Sequence, residues 1–244
     1  MATFGGRYFQ VALDAIEQFE CAESKAVLSK QLARAISSFG YQFQCFISAP
    51  STQQRTFDDK MLLNGWPQGW FELYRKSNFT SHDPVAIFLR TQTRAFTWSE
   101  APIPSDDRIA KAVMAISFTD YNMRCGFSVP IHGLNGYQAG ISFAGFEVEN
   151  VKEANAAVQM IGIYAFNRLA NLKSSSKSIR ILTDREREVL SWTAAGKTAW
   201  DTSGILNIAE DTVNKHITSA MRKLNVHTRA QAVAESIRRG EIVP

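Results

Sequence analysis

Residues 182–224, LTDREREVLSWTAAGKTAWDTSGILNIAEDTVNKHITSAMRKL, constrain the fold of this chain more than any other stretch. Three short helical patterns follow one another there, each with its own start and stop signals. The first begins at Thr183, with Glu186 three residues on. That spacing is a capping box, in which each side chain satisfies an otherwise orphaned backbone N–H. Gly196 suits the left-handed residue that ends a helix. The second pattern begins at Thr198, with Asp201 three residues on, and stops near Asn207. The third runs from about Glu210 to Leu224. Its apolar residues Val213, Ile217, Ala220 and Leu224 are spaced four, three and four, so they form one stripe. The opposite face carries Asn214, Lys215, Thr218 and Arg222. Two short helices and a tight turn, then a helix with a polar outer face, predict a helix-turn-helix of the kind that reads DNA.

The charge distribution agrees. Residues 1–170 hold 15 Lys/Arg and 15 Asp/Glu, whereas residues 171–244 hold 12 and 8. The basic excess therefore belongs to the end that carries the helix-turn-helix. At 244 residues the chain suits two modest domains or one large one. No run of 18 apolar residues occurs, and the first residues lack a basic-then-apolar signal, which predicts a cytoplasmic protein with no membrane partner. Cys21, Cys45 and Cys125 are odd in number and scattered, so neither a disulfide framework nor a zinc site is indicated. Cys45 lies in an apolar run and reads as a small buried side chain.

Residues 173–180, KSSSKSIR, read as a flexible linker. They separate an N-terminal domain, 1–172, from a C-terminal all-α domain, 181–244. Before the linker, 151–172 reads as one long helix with apolar residues on more than one face, which predicts packing against two surfaces. Helical patterns also cover roughly 7–21, 23–38, 67–76, 83–91 and 105–121. Strand-like runs cover 41–48, 56–63, 125–132 and 137–146, with Asn135-Gly136 as a hairpin turn between the last two. Helices separated by antiparallel strands predict an α/β fold for the N-terminal domain, an α/β/α sandwich around a central antiparallel sheet.

Within that domain, residues 66–98 gather Trp66, Trp70, Phe71, Tyr74, Phe79, Phe88, Phe96 and Trp98 around Asp83 and Pro84. Aromatic clusters usually serve packing. A carboxylate among aromatics, however, is costly to bury unless something donates to it. Trp offers a donor, Tyr a donor and an acceptor, Asp an acceptor. Together they suit an uncharged ligand with two carbonyls and one amide N–H, its remainder oily.

The C-terminal segment resembles the LuxR-type DNA-binding domain. The matching motifs are Leu-Thr-x-Arg-Glu-x-Glu-Val-Leu at 182–190, Gly-Lys-Thr at 196–198, Thr-Val-x-x-His at 212–216, and Lys223-Leu224. Ala209 departs from the usual Ser N-cap, and Thr202 from the usual core Ile. Trp70, Tyr74, Asp83-Pro84, Trp98 and Gly126 are similar to the autoinducer-binding domain of the same family. That resemblance implies an N-acyl homoserine lactone as ligand and no cofactor or metal. It implies Trp70 on the lactone carbonyl, Asp83 on the amide N–H and Tyr74 on the acyl carbonyl. It also implies Trp98 against the lactone ring, Ser142 as a further hydroxyl, and Pro84 and Gly126 shaping the backbone. Trp66, where many members have Tyr, would line the acyl chain, and Asn122 replaces a common glycine. The implied protein is a homodimeric, ligand-responsive activator in quorum sensing. It would bind double-stranded DNA at inverted repeats, with RNA polymerase as a further partner. Asn214, Lys215 and Thr218 would then reach base edges, and Lys197, Arg222 and Lys223 phosphates.

Other functions fit poorly. His82, His132, His216 and His227 lack metal-ligand spacing. His82-Asp83 resembles a general-base pair, but no GxSxG nucleophile motif accompanies it. A phosphorylated receiver domain needs an acidic pair closing its first strand, and 41–48 ends in Ser48. A receptor of the same family for a different small hydrophobic ligand is the remaining alternative.

Overall fold

The computed structural model describes residues 4–49, 57–133, 136–174 and 181–243. The proposed turn residue Asn135 and linker residues 175–180 lie outside them. The chain divides into two compact units, Met1–Ser175 and Ser176–Pro244.

The first unit runs α1 (Phe4–Glu20), α2 (Lys25–Ser37), β1 (Phe43–Ser48), α3 (Phe57–Lys60), β2 (Met61–Asn64), α4 (Trp70–Lys76) and α5 (Pro84–Thr91). It continues β3 (Phe96–Thr97), α6 (Arg108–Thr119), β4 (Cys125–Gly133), β5 (Gly136–Gly145) and α7 (Lys152–Ser174). The sheet is antiparallel in the order β2-β1-β5-β4-β3. Alternation along β5 assigns its two faces. Ile141 and Phe143 join Phe46 in a core with Leu28, Leu32, Val158 and Ile161 of α2 and α7. Ala144 faces the other way, into an aromatic cluster with Trp70, Tyr74, Phe79 and Trp98. This is the expected α/β/α sandwich. The two-faced character of α7 has its counterpart in this layer: α1 and α2 both pack on it, and Ile163 and Phe166 lie against the core beside the buried stripe.

Two local readings are corrected. The strand expected over 56–63 is the short helix α3 followed by β2. Asp58 and Asp59 favour a helix N-terminus and disfavour a strand. The helix expected from 67 starts at Trp70, after Gly69 at φ +81°. Asn122, which departs from a family glycine, sits at φ +58°. Asn tolerates the left-handed region better than most side chains, so the departure keeps the backbone.

The second unit comprises α8 (Asp184–Ala194), α9 (Ala199–Leu206), α10 (Glu210–Leu224) and α11 (Arg229–Arg238). Both predicted capping boxes form, at Thr183/Glu186 and Thr198/Asp201. The apolar stripe Val213, Ile217, Ala220 and Leu224 is buried. Ala209 is the N-cap of α10 and makes no side-chain bond. Thr202 is buried, with its hydroxyl donating to the Thr198 carbonyl at 2.8 Å, so the departure from Ile leaves no orphan polar atom. Helix α11 went unread in the sequence, although Thr228 and Gln231 form the same capping-box signature.

Candidate functional site

A cavity opens between the sheet and helices α4, α5 and α6. Trp66, Trp70, Tyr74, Asp83, Trp98 and Ser142, all expected at a site, line it together. Val113, Met114 and Ser117 of α6, Met123, Cys45, Arg90 and Tyr137 line it too. Sequence reasoning missed these as wall residues. The helical ones carry only a core-like periodicity, and Tyr137 sits in an ordinary strand pattern.

Asp83 has a structural duty as well as a place in the wall. It is the N-cap of α5, with Oδ1 accepting from the backbone N–H groups of Val85 at 2.9 Å and Ala86 at 3.2 Å. Pro84 takes the first helical position, where its missing N–H costs nothing. The cap signal was present in the Asp-Pro pair. Oδ2 accepts from the Tyr74 hydroxyl at 2.8 Å. Burial pushes the Asp83 carboxyl up, opposed by Tyr74 and the two cap bonds. His82 is not its base partner. His82 Nδ1 lies 2.8 Å from Asp107 Oδ2 instead, and Asp107 caps α6.

Three tryptophans surround the cavity. The Trp66 ring is 6.1 Å from that of Trp98. The Trp98 N–H donates to Ser128 Oγ at 3.1 Å, and Ser128 Oγ lies 2.8 Å from Ser142 Oγ. Register makes this hydroxyl chain: Ser128 pairs with Ser142 across β4 and β5. Ser128, fully buried, was not foreseen. The Trp70 indole N–H has no hydrogen-bond partner among the described residues. Gly126 has a steric role: a Cβ there would stand 2.1 Å from the Trp98 ring.

In the second unit the outer face of α10 presents Lys215, Thr218 and Arg222 as exposed side chains, with Asn214 half-buried beside them. Lys215 Nζ pairs with Asp211 at 2.7 Å, and both are largely exposed. The Asn214 amide oxygen accepts from Arg229, a residue of α11 absent from the expected set. Lys197 is exposed in the turn before α9. Arg222 has no ion pair among the described residues. Lys223 already has a partner within the domain. Its half-buried side chain donates to the buried Glu186 Oε2 at 2.7 Å. Ser219 Oγ and the Thr183 N–H also donate to Glu186 at 2.7 Å. Burial pushes this carboxyl up, but Lys223, Thr183 and Ser219 outweigh it and hold it down at about 2. Lys223 is thereby paired within the domain while 31% of its side chain stays exposed.

Among the described residues no cluster of His, Cys, Asp and Glu could hold a metal ion. Nor is any helix there long and apolar enough to cross a membrane.

A ligand-binding sandwich carried on the same chain as a helix-turn-helix defines a ligand-responsive transcriptional regulator. The description "Autoinducer binding domain" matches residues 24–169, and "Bacterial regulatory proteins, luxR family" matches 180–236. The chain therefore belongs to the LuxR family, and it is a regulator, not an enzyme. It is 36% identical over 239 residues to the transcriptional activator protein BjaR1 of Bradyrhizobium diazoefficiens, covering 97% of this chain and 98% of that one. It is 38% identical over 234 residues to RpaR, a quorum sensing-dependent regulator of Rhodopseudomonas palustris, covering 95% and 94%. Escherichia coli SdiA shares the fold, with a TM-score of 0.75 at 20% identity, over 96% of this chain and 98% of that one.

Proposed function

We propose that the chain is a receptor for an N-acyl homoserine lactone, activating transcription as a homodimer on inverted-repeat DNA. The observation that carries this reading is the pair formed by Tyr74 and Asp83. A donor and an acceptor stand 2.8 Å apart on an otherwise aromatic wall. An N-acyl amide presents the complement on neighbouring atoms. Its N–H takes Asp83 Oδ2, and the Tyr74 hydroxyl turns to its carbonyl. The Trp98 indole N–H is already engaged. The Trp70 indole N–H, without a partner among the described residues, donates to a second carbonyl, as a lactone supplies. Ser142 ends the hydroxyl chain at the same wall. Binding fills the core of the first unit and stabilises it by mass action. The dimer form is supported by apolar residues that α7 leaves outside its buried stripe, half-buried Met160 and exposed Tyr164.

Asp83→Asn tests this directly. The amide oxygen keeps the α5 cap, while the NH₂ replaces Oδ2 and removes the acceptor. Calorimetry with acyl homoserine lactones should show affinity at least tenfold weaker, since a hydrogen bond to a charged group contributes ~1.5–3 kcal/mol. Unchanged affinity with an intact fold refutes Asp83 as the amide acceptor.

On the DNA side, base contacts specify and phosphate contacts position. Lys215→Ala should lower the ratio of cognate to scrambled binding about tenfold. It also leaves Asp211 uncompensated on the same face. Arg222→Ala should weaken both duplexes alike and flatten the salt dependence. A Lys215→Ala ratio equal to wild type, measured with ligand at several salt concentrations, would mean that α10 docks differently.

A further inference from the structure

The ligand cavity has a second polar end. Helix α5 passes over β5, with Leu89 lying on Gly140: a Cβ at Gly140 would meet Leu89 Cδ2 at 2.3 Å and the Tyr137 hydroxyl at 2.7 Å. Asp83 opens α5, and Arg90 comes two turns later, roughly 10 Å along the axis. Ser142 and Gly140 are two residues apart on the same face of β5, about 7 Å. Tyr137 folds back over Gly140. Moving along α5 towards Arg90 is thus moving along β5 towards Tyr137. Both side chains line the cavity, at the end away from Trp70, Asp83 and Ser142.

That end carries two donors, half-buried Tyr137 and exposed Arg90. Among the described residues, neither the Tyr137 hydroxyl nor the Arg90 guanidinium has a hydrogen bond or an ion pair. Burial pushes the Tyr137 hydroxyl up to about 12 despite the opposing charge of Arg90, so it is an O–H donor at neutral pH. A ligand tail laid over the Tyr137 hydroxyl would take that donor out of water, and a plain alkyl tail offers it no acceptor. An oxygen atom there answers both groups, and a carboxylate also meets the planar fork of Arg90. Gly140 belongs to the same arrangement, since any side chain there would displace the hydroxyl.

We propose that the ligand's acyl chain ends in a hydrogen-bond-accepting oxygen, received by Tyr137 and Arg90, which select among acyl tails. This rests on the N-acyl homoserine lactone reading for the head of the ligand and extends it to the tail.

The test titrates the purified full chain by calorimetry with homoserine lactones of matched acyl length, ending in a methyl, a hydroxyl or a carboxylate. At the best-fitting length, wild type should prefer an oxygen-ended tail over the methyl-ended one by about tenfold. The hydroxyl and carboxylate arms show whether the oxygen is neutral or anionic. Tyr137→Phe should abolish preference for the hydroxyl, and Arg90→Gln preference for the carboxylate, each read as the ratio of oxygen-ended to methyl-ended affinity within the same variant. Equal or tighter binding of the methyl-ended lactone at every length overturns the proposal, as does a preference that survives both substitutions. If no lactone binds, the head-group reading fails. The same three tails on simple N-methyl amides then decide the tail by itself, with the same preference expected and its absence overturning the proposal.

Discussion

Gly126→Ala should destabilise the first unit by about 3 kcal/mol, the upper range for forcing a methyl into a filled core. The methyl would stand 2.1 Å from two ring atoms of Trp98 and 2.5 Å from its Nε1. The indole cannot swing aside freely. It is nearly buried, packs near Trp66, and its N–H is held by Ser128. Nor can the strand yield easily, because Gly126 is paired with Ala144 in the middle of the sheet. Moving Trp98 breaks the hydroxyl chain to Ser142, so ligand affinity should fall together with stability. Urea unfolding followed by tryptophan fluorescence checks the first effect, and calorimetry the second. Trp98→Leu in the same chain removes the overlap, so the double variant should be more stable than the sum of the single changes allows. A single variant within about 0.5 kcal/mol of wild type would show that the indole does not occupy this space.

Lys223→Met should cost the second unit about 3 kcal/mol, because it strands a buried carboxylate. Glu186 is held at about 2 against an ordinary 4.5. Its ionised form therefore stabilises the fold at neutral pH, and that contribution is lost as pH falls from 4.5 through 2. In the variant the carboxyl protonates earlier, so the gap to wild type should narrow over the same interval. Hydrogen exchange of the full chain, read over residues 182–243 at pH 7 and pH 3, measures this. Wild-type protection combined with weakened DNA binding would return Lys223 to the phosphate-contacting set.

Much of the second unit was legible because its signals are short-range. A capping box spans four residues, and an apolar stripe recurs every three or four, so Thr183/Glu186, Thr198/Asp201 and the face of α10 could be read directly. What the same residues do across the domain could not. Glu186 looked like a cap alone, yet it also receives Ser219 and Lys223 from a helix more than thirty positions away. In the first unit the aromatic stretch and Asp83-Pro84 marked the pocket. The β4/β5 register then put Ser128 beside Ser142, and Leu89 over Gly140 set Tyr137 and Arg90 at the far end.

The sequence by itself determined the two-part organisation, the helix starts and stops, the polar face of α10 and the chemical types gathered at the pocket. Each depends on neighbours within a turn or two, where propensity, capping and periodicity act on the backbone directly. Tertiary structure alone decided which polar groups are already spent and which remain open to a ligand. Trp98 and Lys223 have partners supplied by distant segments, while the Trp70 indole N–H, the Tyr137 hydroxyl and the Arg90 guanidinium do not among the described residues. Hydrogen bonds saturate, so a donor's function depends on who else reaches it. That is fixed by strand register and helix packing rather than by the residue's own place in the chain.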